Sequence, residues 1–384
     1  MIWKFITFFV RKLVPENAHK ITLLALKFGL HPRLQQVEIK TKIKNLEFSN
    51  PLGIAAGFDK NAEVIKKIHS LNFGFSEVGT ITPFSQYGNL KPRVFRLEED
   101  NAIINRNGFN NLGMIKAKKK LENYRIKFPV GSEFLVGINI GPNKDSPDRF
   151  NDYEILSENL SEFADYIAIN ISSPNTPNLR DFHESKHLKK VIKSVKNGIL
   201  KSQNSDLEVP VFLKIAPDIT SNDLESIIKI SSQKNITGLI ISNTTIDREK
   251  KRKSLNLKEL GGLSGTPLFL KSTRLLSLAN QIIKKNNYKL YLIAAGGVSD
   301  CQSAYAKILC GAQLIQLYTS MTYEGPLIAN KIIKGLLLLM KRDKIININD
   351  IRGSVKNPET AMKIAMNGFK WYKELINFHF TWPF

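Results

Sequence analysis

A chain of 384 residues can bury a large core, as one large domain or two smaller ones. Its hydrophobic share of 42% excludes wholesale disorder, and two cysteines, Cys301 and Cys310, exclude a disulfide scaffold and fit a reducing compartment. The 56 Lys+Arg against 34 Asp+Glu give +22, a balance open to an anionic membrane surface or to composition without functional meaning. The basic residues are spread out, with no arginine-rich or aromatic RNP-like tract, so no nucleic-acid partner is expected. Both cysteines read as small buried apolar residues.

From Met1 to Val14, the polar Lys4, Thr7, Arg11 and Lys12 fall on one side of a helix. Trp3, Phe5, Phe8, Phe9 and aliphatic residues cover the rest. Arg11-Lys12 interrupts the apolar core that a secretory signal requires. A basic helix with this aromatic face fits lying in a membrane interface, and packing on its own domain would use the same pattern. A second helix is expected over His19–Leu30 with Asn17 as N-cap, then a short hairpin within Val37–Phe48. Residues 1–36 thus read as a helical extension. The apolar run Gly335–Met340 is far shorter than the ~20 residues of a membrane span.

From Pro51 the chain repeats one theme: a short apolar strand, a polar loop, an amphipathic helix. The expected strands are Leu52–Ala56, Phe75–Gly79, Phe134–Ile140, Tyr166–Ile169, Val211–Ile215, Gly238–Ser242, Tyr291–Ala295 and Ala312–Tyr318. Alternation of this kind implies a parallel sheet, and eight units imply a (β/α)8 TIM barrel over residues 37–355. No Gly-x-Gly-x-x-Gly follows the first strand, which argues against a dinucleotide fold.

Barrel active sites lie at the carboxyl ends of the strands. Here those ends carry Ala55–Lys60, Thr80, Asn139, Asn170, Lys214–Asp218, Ser242–Thr245, Gly296-Gly297 and Tyr318-Thr319. They are rich in amides, hydroxyls and glycines, with two lysines. They lack a histidine and a carboxylate cluster, so no metal is expected. The set suits a planar hydrogen-bonding cofactor stacked on a substrate, with a phosphate near the glycines and Thr319. The loop Asn170-Ile171-Ser172-Ser173-Pro174-Asn175-Thr176-Pro177 grips a small polar ligand with amides and hydroxyls and offers no ionisable group.

Taken together, Ala55–Lys60, Lys91–Arg96, Asn105–Asn111, Asn170–Pro177, Lys214–Asp218, Asn243–Thr245 and Gly261–Gly265 resemble, in order, the dihydroorotate dehydrogenase family. The likeness is to its quinone-linked, membrane-associated class 2 and covers about Pro15 to Arg352. It implies oxidation of dihydroorotate to orotate in pyrimidine biosynthesis, with FMN accepting the electrons and a membrane quinone receiving them. It also implies a peripheral protein on the cytoplasmic face of a bacterial inner membrane. Ser173 matches the family's base, where the related class 1 enzymes carry cysteine. Serine and the N-terminal helices therefore disfavour the alternative, a soluble class 1-like enzyme using fumarate or NAD. Thr176 is a candidate for relaying the serine's proton.

The resemblance implies substrate contacts from Lys60, Asn105, Arg106, Asn107, Gly108, Phe109, Asn170, Asn175, Asn243 and Thr244. It implies FMN contacts from Ala56, Gly57, Phe58, Asp59, Lys60, Thr80, Asn139 and Asn170. Further FMN contacts are Lys214, near flavin N1, and Ser242, Gly265, Gly297, Tyr318 and Thr319. His19 and Arg96 match residues at the inner end of a quinone tunnel. Ser242 replaces the commoner threonine, Ala294-Ala295-Gly296-Gly297 departs from Gly-x-Gly-Gly, and Pro142 stands where lysine is frequent. His183-Glu184-Ser185-Lys186-His187 has the spacing of a zinc-protease motif but no third ligand, and reads as a solvated helix start. Residues 356–384, with Trp371, Tyr372, Phe378, Phe380, Trp382 and Phe384, read as an aromatic extension of open role.

Overall fold

The computed structural model describes residues 2–202, 208–248 and 254–367. Trp371 and the other tail aromatics lie outside the described residues. Two helices come first, α1 (Ile2–Lys12) and α2 (Pro15–Lys27). α1 buries no residue, and Ile2, Phe5, Phe8 and Phe9 are exposed. α2 begins earlier than expected: Pro15 opens it, where a missing N–H costs nothing and the fixed φ suits the helix. Val14 is therefore the N-cap residue, and Asn17 lies inside the first turn without capping it.

The hairpin β1 (Thr41–Ile43) and β2 (Leu46–Phe48) is antiparallel and falls inside the expected span. Next come β3 (Leu52–Ile54), β4 (Phe75–Ile81), β5 (Val94–Leu97), β6 (Ala102–Asn105) and β7 (Leu135–Ile140). β8 (Tyr166–Asn170), β9 (Val211–Ile215), β10 (Gly238–Ile241), β11 (Gly262–Gly265), β12 (Tyr291–Ala295) and β13 (Leu314–Leu317) complete the set. β3, β4, β7, β8, β9, β10, β12 and β13 form a closed parallel barrel in chain order, with β13 returning to β3. Each expected strand becomes one barrel strand, so the fold is a (β/α)8 barrel.

Nearly every barrel-strand residue is buried, as a parallel sheet covered on both faces requires. Inside the barrel, large and small residues alternate between neighbouring strands. A Cβ on Gly137 would lie 2.0 Å from the Tyr166 ring, and one on Gly53 would lie 2.4 Å from Phe75. Glycine therefore makes room for the aromatic next to it. The hairpin plugs the barrel's lower end with Ile43, Leu46 and Phe48, the last edge-on to Phe75 at 5.3 Å.

At the opposite end, β5, β6 and β11 pair antiparallel into a small sheet drawn from two loops distant in sequence. The helix Pro358–Met366, capped by Asn357, packs on the helices Cys301–Leu309 and Phe269–Lys285. No described helix is long and apolar enough to cross a membrane.

Candidate active site

The carboxyl ends of the barrel strands open into a cavity of about 970 Å³ that continues outward between α1 and α2. That is the upper end of the size of small-molecule pockets, enough for a planar cofactor, a substrate and a further arm. Every expected site residue lines it except Asp59, Arg106, Asn139 and the relay candidate Thr176.

The floor is built on a buried charge pair. Lys214 of β9 stands 3.2 Å from Glu77 of β4, and both side chains are almost fully buried. Glu77 also accepts from Asn139 Nδ2 (2.8 Å), Gln316 Nε2 (2.7 Å) and Tyr166 OH (3.2 Å). Four donors satisfy a carboxylate that would be very costly to bury alone. Asn139 passes the order upward: its Oδ1 accepts from Thr80 Oγ1 (2.6 Å), and Thr80 accepts from Asn170 Nδ2 (2.9 Å). One hydrogen-bond chain thus runs from the first residue of the Asn170–Pro177 loop to the lysine, fixing which way each amide points. Asn139 is wholly buried and acts beneath the cavity wall.

Asn170 is held from the other side as well. Its Oδ1 accepts from Ser172 N–H (3.2 Å) and Ser172 Oγ (3.0 Å), while Asn243 Nδ2 donates to Ser172 Oγ (3.0 Å). Ser173 Oγ accepts the N–H of Asn175 at 3.2 Å, and the residue is 5% exposed. Thr176 makes no side-chain hydrogen bond to Ser173 among the described residues. Asn105 Oδ1 gathers Asn107 Nδ2 (3.2 Å) and Asn175 Nδ2 (3.4 Å), which brings amides from two segments distant in sequence to one wall.

The opposite end is glycine-rich. Gly265, Gly296 and Gly297 adopt φ of +92°, +95° and +80°, which side chains disfavour. Thr319, bonded to Ser264 Oγ at 2.8 Å, opens the short helix beside them. Ser242 Oγ donates to Asn243 O (3.0 Å). A planar phosphorylated cofactor fits this donor set. The glycine turns let backbone approach an anion, Lys214 has spare donors, and Gln316 Oε1 on the cavity floor is buried without a partner.

The outer arm meets the barrel at three rings. His19 lies edge-on to Phe58 (5.5 Å), Phe58 edge-on to Tyr318 (5.7 Å), and Tyr318 OH is 3.4 Å from His19 Nδ1. Burial, then the nearby Lys60 charge, pushes the His19 pKa down to about 3, so the ring is neutral. Burial, then Arg93, pushes Lys60 down to about 8. Arg96 Nη1 donates to the carbonyls of Arg11 and Leu13 (both 2.7 Å), tying the turn between the helices to β5.

Asp59 is turned away from the cavity, accepting the N–H groups of Glu63 and Val64 (both 2.8 Å). Arg106 is also turned out, held by Glu259 (2.6 Å) and stacked over Phe95. His183 is spent structurally: Nδ1 faces Arg180 O (2.7 Å) and Nε2 accepts Ala216 N–H (3.3 Å). His187 sits on the next helix, with Nδ1 3.3 Å from Asp181 O.

Three working residues escaped the sequence reading. Glu77 was discoverable as a lone carboxylate inside an apolar strand. Arg180 donates to Ser172 O, Thr244 O and Asp218, bracing two site loops at once. Arg93 pairs with Glu16 of α2 at 2.9 Å, both nearly buried. Neither arginine carries a local signal, because each acts across loops.

Comparison with known proteins agrees with this geometry. Residues 38–340 match the family model described as dihydroorotate dehydrogenase. The dihydroorotate dehydrogenase (quinone) of Bartonella tribocorum is 43% identical over 341 residues, covering 88% of this chain and 92% of that protein. That of Sinorhizobium fredii is 44% identical over 353 residues, with the same shares. The crystal structure of DHODH from Eimeria tenella in complex with ferulenol superposes with a TM-score of 0.84 at 36% identity, covering 88% and 95% of the two chains.

Proposed function

Because this chain belongs to the dihydroorotate dehydrogenase family, we propose that it oxidises dihydroorotate to orotate and delivers the electrons through FMN to a membrane quinone. The observation that carries this reading is the single cavity joining the Ser173 loop and Lys214 to the gap between α1 and α2. A soluble class 1-like enzyme has no use for such an arm.

Ser173 is the base that takes the proton from substrate C5. A serine is weakly basic, so the Asn175 N–H at its Oγ matters: it stabilises the oxygen as charge develops. The serine's own proton passes to solvent. Asn105, Asn107, Asn175 and Asn243 present a donor–acceptor wall for a pyrimidine edge, and Lys60 answers the substrate carboxylate. FMN, when bound, supplies the acceptor for the hydride leaving C6. Gly265, Gly297 and Thr319 would hold its phosphate. Thr80, Asn170, Ser242 and Lys214 would hold its ring, with Lys214 fixed by Glu77 as a positive charge that favours the reduced anion.

α1 and α2 give the quinone its path, past His19, Phe58 and Tyr318. α1 lies on the cytoplasmic face of a bacterial inner membrane as a peripheral anchor, its exposed Phe5, Phe8 and Phe9 beside Lys4 and Lys12 supporting that placement. Anaerobic mixing of the yellow protein with dihydroorotate tests the reading. The flavin absorbance should bleach, and Ser173→Ala should slow bleaching by about 10²–10⁴ while FMN stays bound. Protein that cannot be loaded with FMN, or whose flavin ignores dihydroorotate, would refute it.

A further inference from the structure

Behind the glycine turn that follows β12 lies a cation the reaction does not use. Lys307, in the helix Cys301–Leu309, is 0% exposed. Its Nζ donates to Ser272 Oγ at 2.8 Å and sits 5.3 Å from the centre of the Phe269 ring. Ser272 Oγ is in turn 3.0 Å from Gly296 O. A Cβ built on Gly297 would fall 2.3 Å from Phe269 Cα, so the turn rests directly on the start of the helix Phe269–Lys285. Ser272 and Phe269 therefore connect Lys307 to the inner face of the cavity's glycine end.

Among the described residues, no carboxylate on the elements packed around it answers this ammonium. Glu359, on the helix Pro358–Met366, is bound to Arg274. Asp343, closing the helix Ile328–Arg342, is bound to Arg342 and to Tyr305 OH. Asp350, in the turn Ile348–Ile351, is exposed. Cys310, three residues along, is a neutral thiol whose pKa burial pushes up to about 11. A buried ammonium held by one hydroxyl and one ring is costly unless an anion completes it.

We propose that Lys307 is a positioning residue for the cofactor phosphate: it is the internal counter-charge of an anion seated on the Gly296–Gly297 turn, acting through Ser272 and that turn. This rests on the FMN reading above. In a poorly polarisable interior, a charge acts across such a distance without contact. Burial holds the Lys307 pKa at about 7 when no anion is near. A phosphate, dianionic above about pH 6, raises it, so binding takes up a proton. FMN retention should then weaken by up to about tenfold per pH unit above about 7.

The test dilutes holoenzyme at pH 6.5 to 9 and reads released FMN by its fluorescence at equilibrium. Wild type should begin to lose FMN near pH 7. Lys307→Met should release about tenfold more FMN at pH 7 and keep only the slope that starts near pH 8, where Lys60 titrates. Lys307→Arg, permanently charged, should hold FMN with the onset near pH 7 removed. A wild-type profile flat to pH 8, or a Lys307→Met profile that overlays wild type, overturns the proposal. Should the variants fail to fold, the wild-type onset still decides: near 7 supports it, absence refutes it. FMN bound with pH-independent release sinks this inference alone, whereas protein holding no FMN at any pH sinks the functional reading as well.

Discussion

Lys60 has both a lowered pKa, about 8, and a place on the cavity wall that Asn105, Asn107 and Asn175 also line. Its ammonium form is the one that binds an anionic substrate, so affinity should be full below about pH 8 and fall above it. KM for dihydroorotate should rise by up to about tenfold per unit there. Lys60→Met should raise KM at neutral pH and flatten that profile, as steady-state kinetics across pH would read. Glu77 makes the opposite kind of prediction. Glu77→Ala strands Lys214 without its partner in the barrel floor, at a cost of about 3–5 kcal/mol, visible as a lower urea midpoint. The strand-end amides were legible because a barrel puts those positions on one rim. Lys307 was not: among Ser303, Ala304 and Tyr305, a lysine reads as a solvated helix position, and it is the packing of neighbouring helices, with Ser272 and Phe269 against its ammonium, that buries it.

At the scale of elements, α2 joins the barrel to the outer arm of the cavity, held by Glu16 on Arg93 (2.9 Å), His19 beside Tyr318 OH (3.4 Å) and Lys27 on Glu63 (2.7 Å). Arg93→Ala leaves Glu16 nearly buried and unpaired, and should loosen α2. Quinone-dependent turnover should drop while bleaching by dihydroorotate persists. His19 adds a pH dependence. Its folded pKa near 3 lies below the ordinary 6.5, so the undocked helix binds the extra proton as pH falls through 6.5. Docking is therefore complete at neutral pH and is progressively lost toward pH 3. Hydrogen-exchange protection of residues 15–27 should fall about tenfold from pH 7 to pH 5. The eight strands were readable because apolar runs bounded by polar loops repeat at barrel spacing. The start of α2 was misread because Pro15 is itself a helix opener and Asn17 only resembles a cap. The addition of β11 to the β5–β6 hairpin had no sequence signal, since that pairing joins Asn105 to Gly262, far apart in the chain.

For the whole molecule, no residue of α1 is itself buried, so removing residues 1–13 should leave the barrel's thermal midpoint within about 2–4 °C of the full chain. The same deletion should abolish sedimentation with anionic vesicles, and for the full chain high salt should weaken it, given +22. Barrel closure also bears on how the protein is made. Leu52 of β3 finds its last neighbour only in Ile315 of β13, and the amide wall around Asn105 is seamed to Gly262. A ribosome must therefore release most of the chain before the first strand has both partners. Until then the nascent protein exposes an unpaired parallel edge, a template for aggregation. The glycine end of the cavity has no complete wall before Thr319 has emerged, so an anion seated there would bind only late in this chain's synthesis.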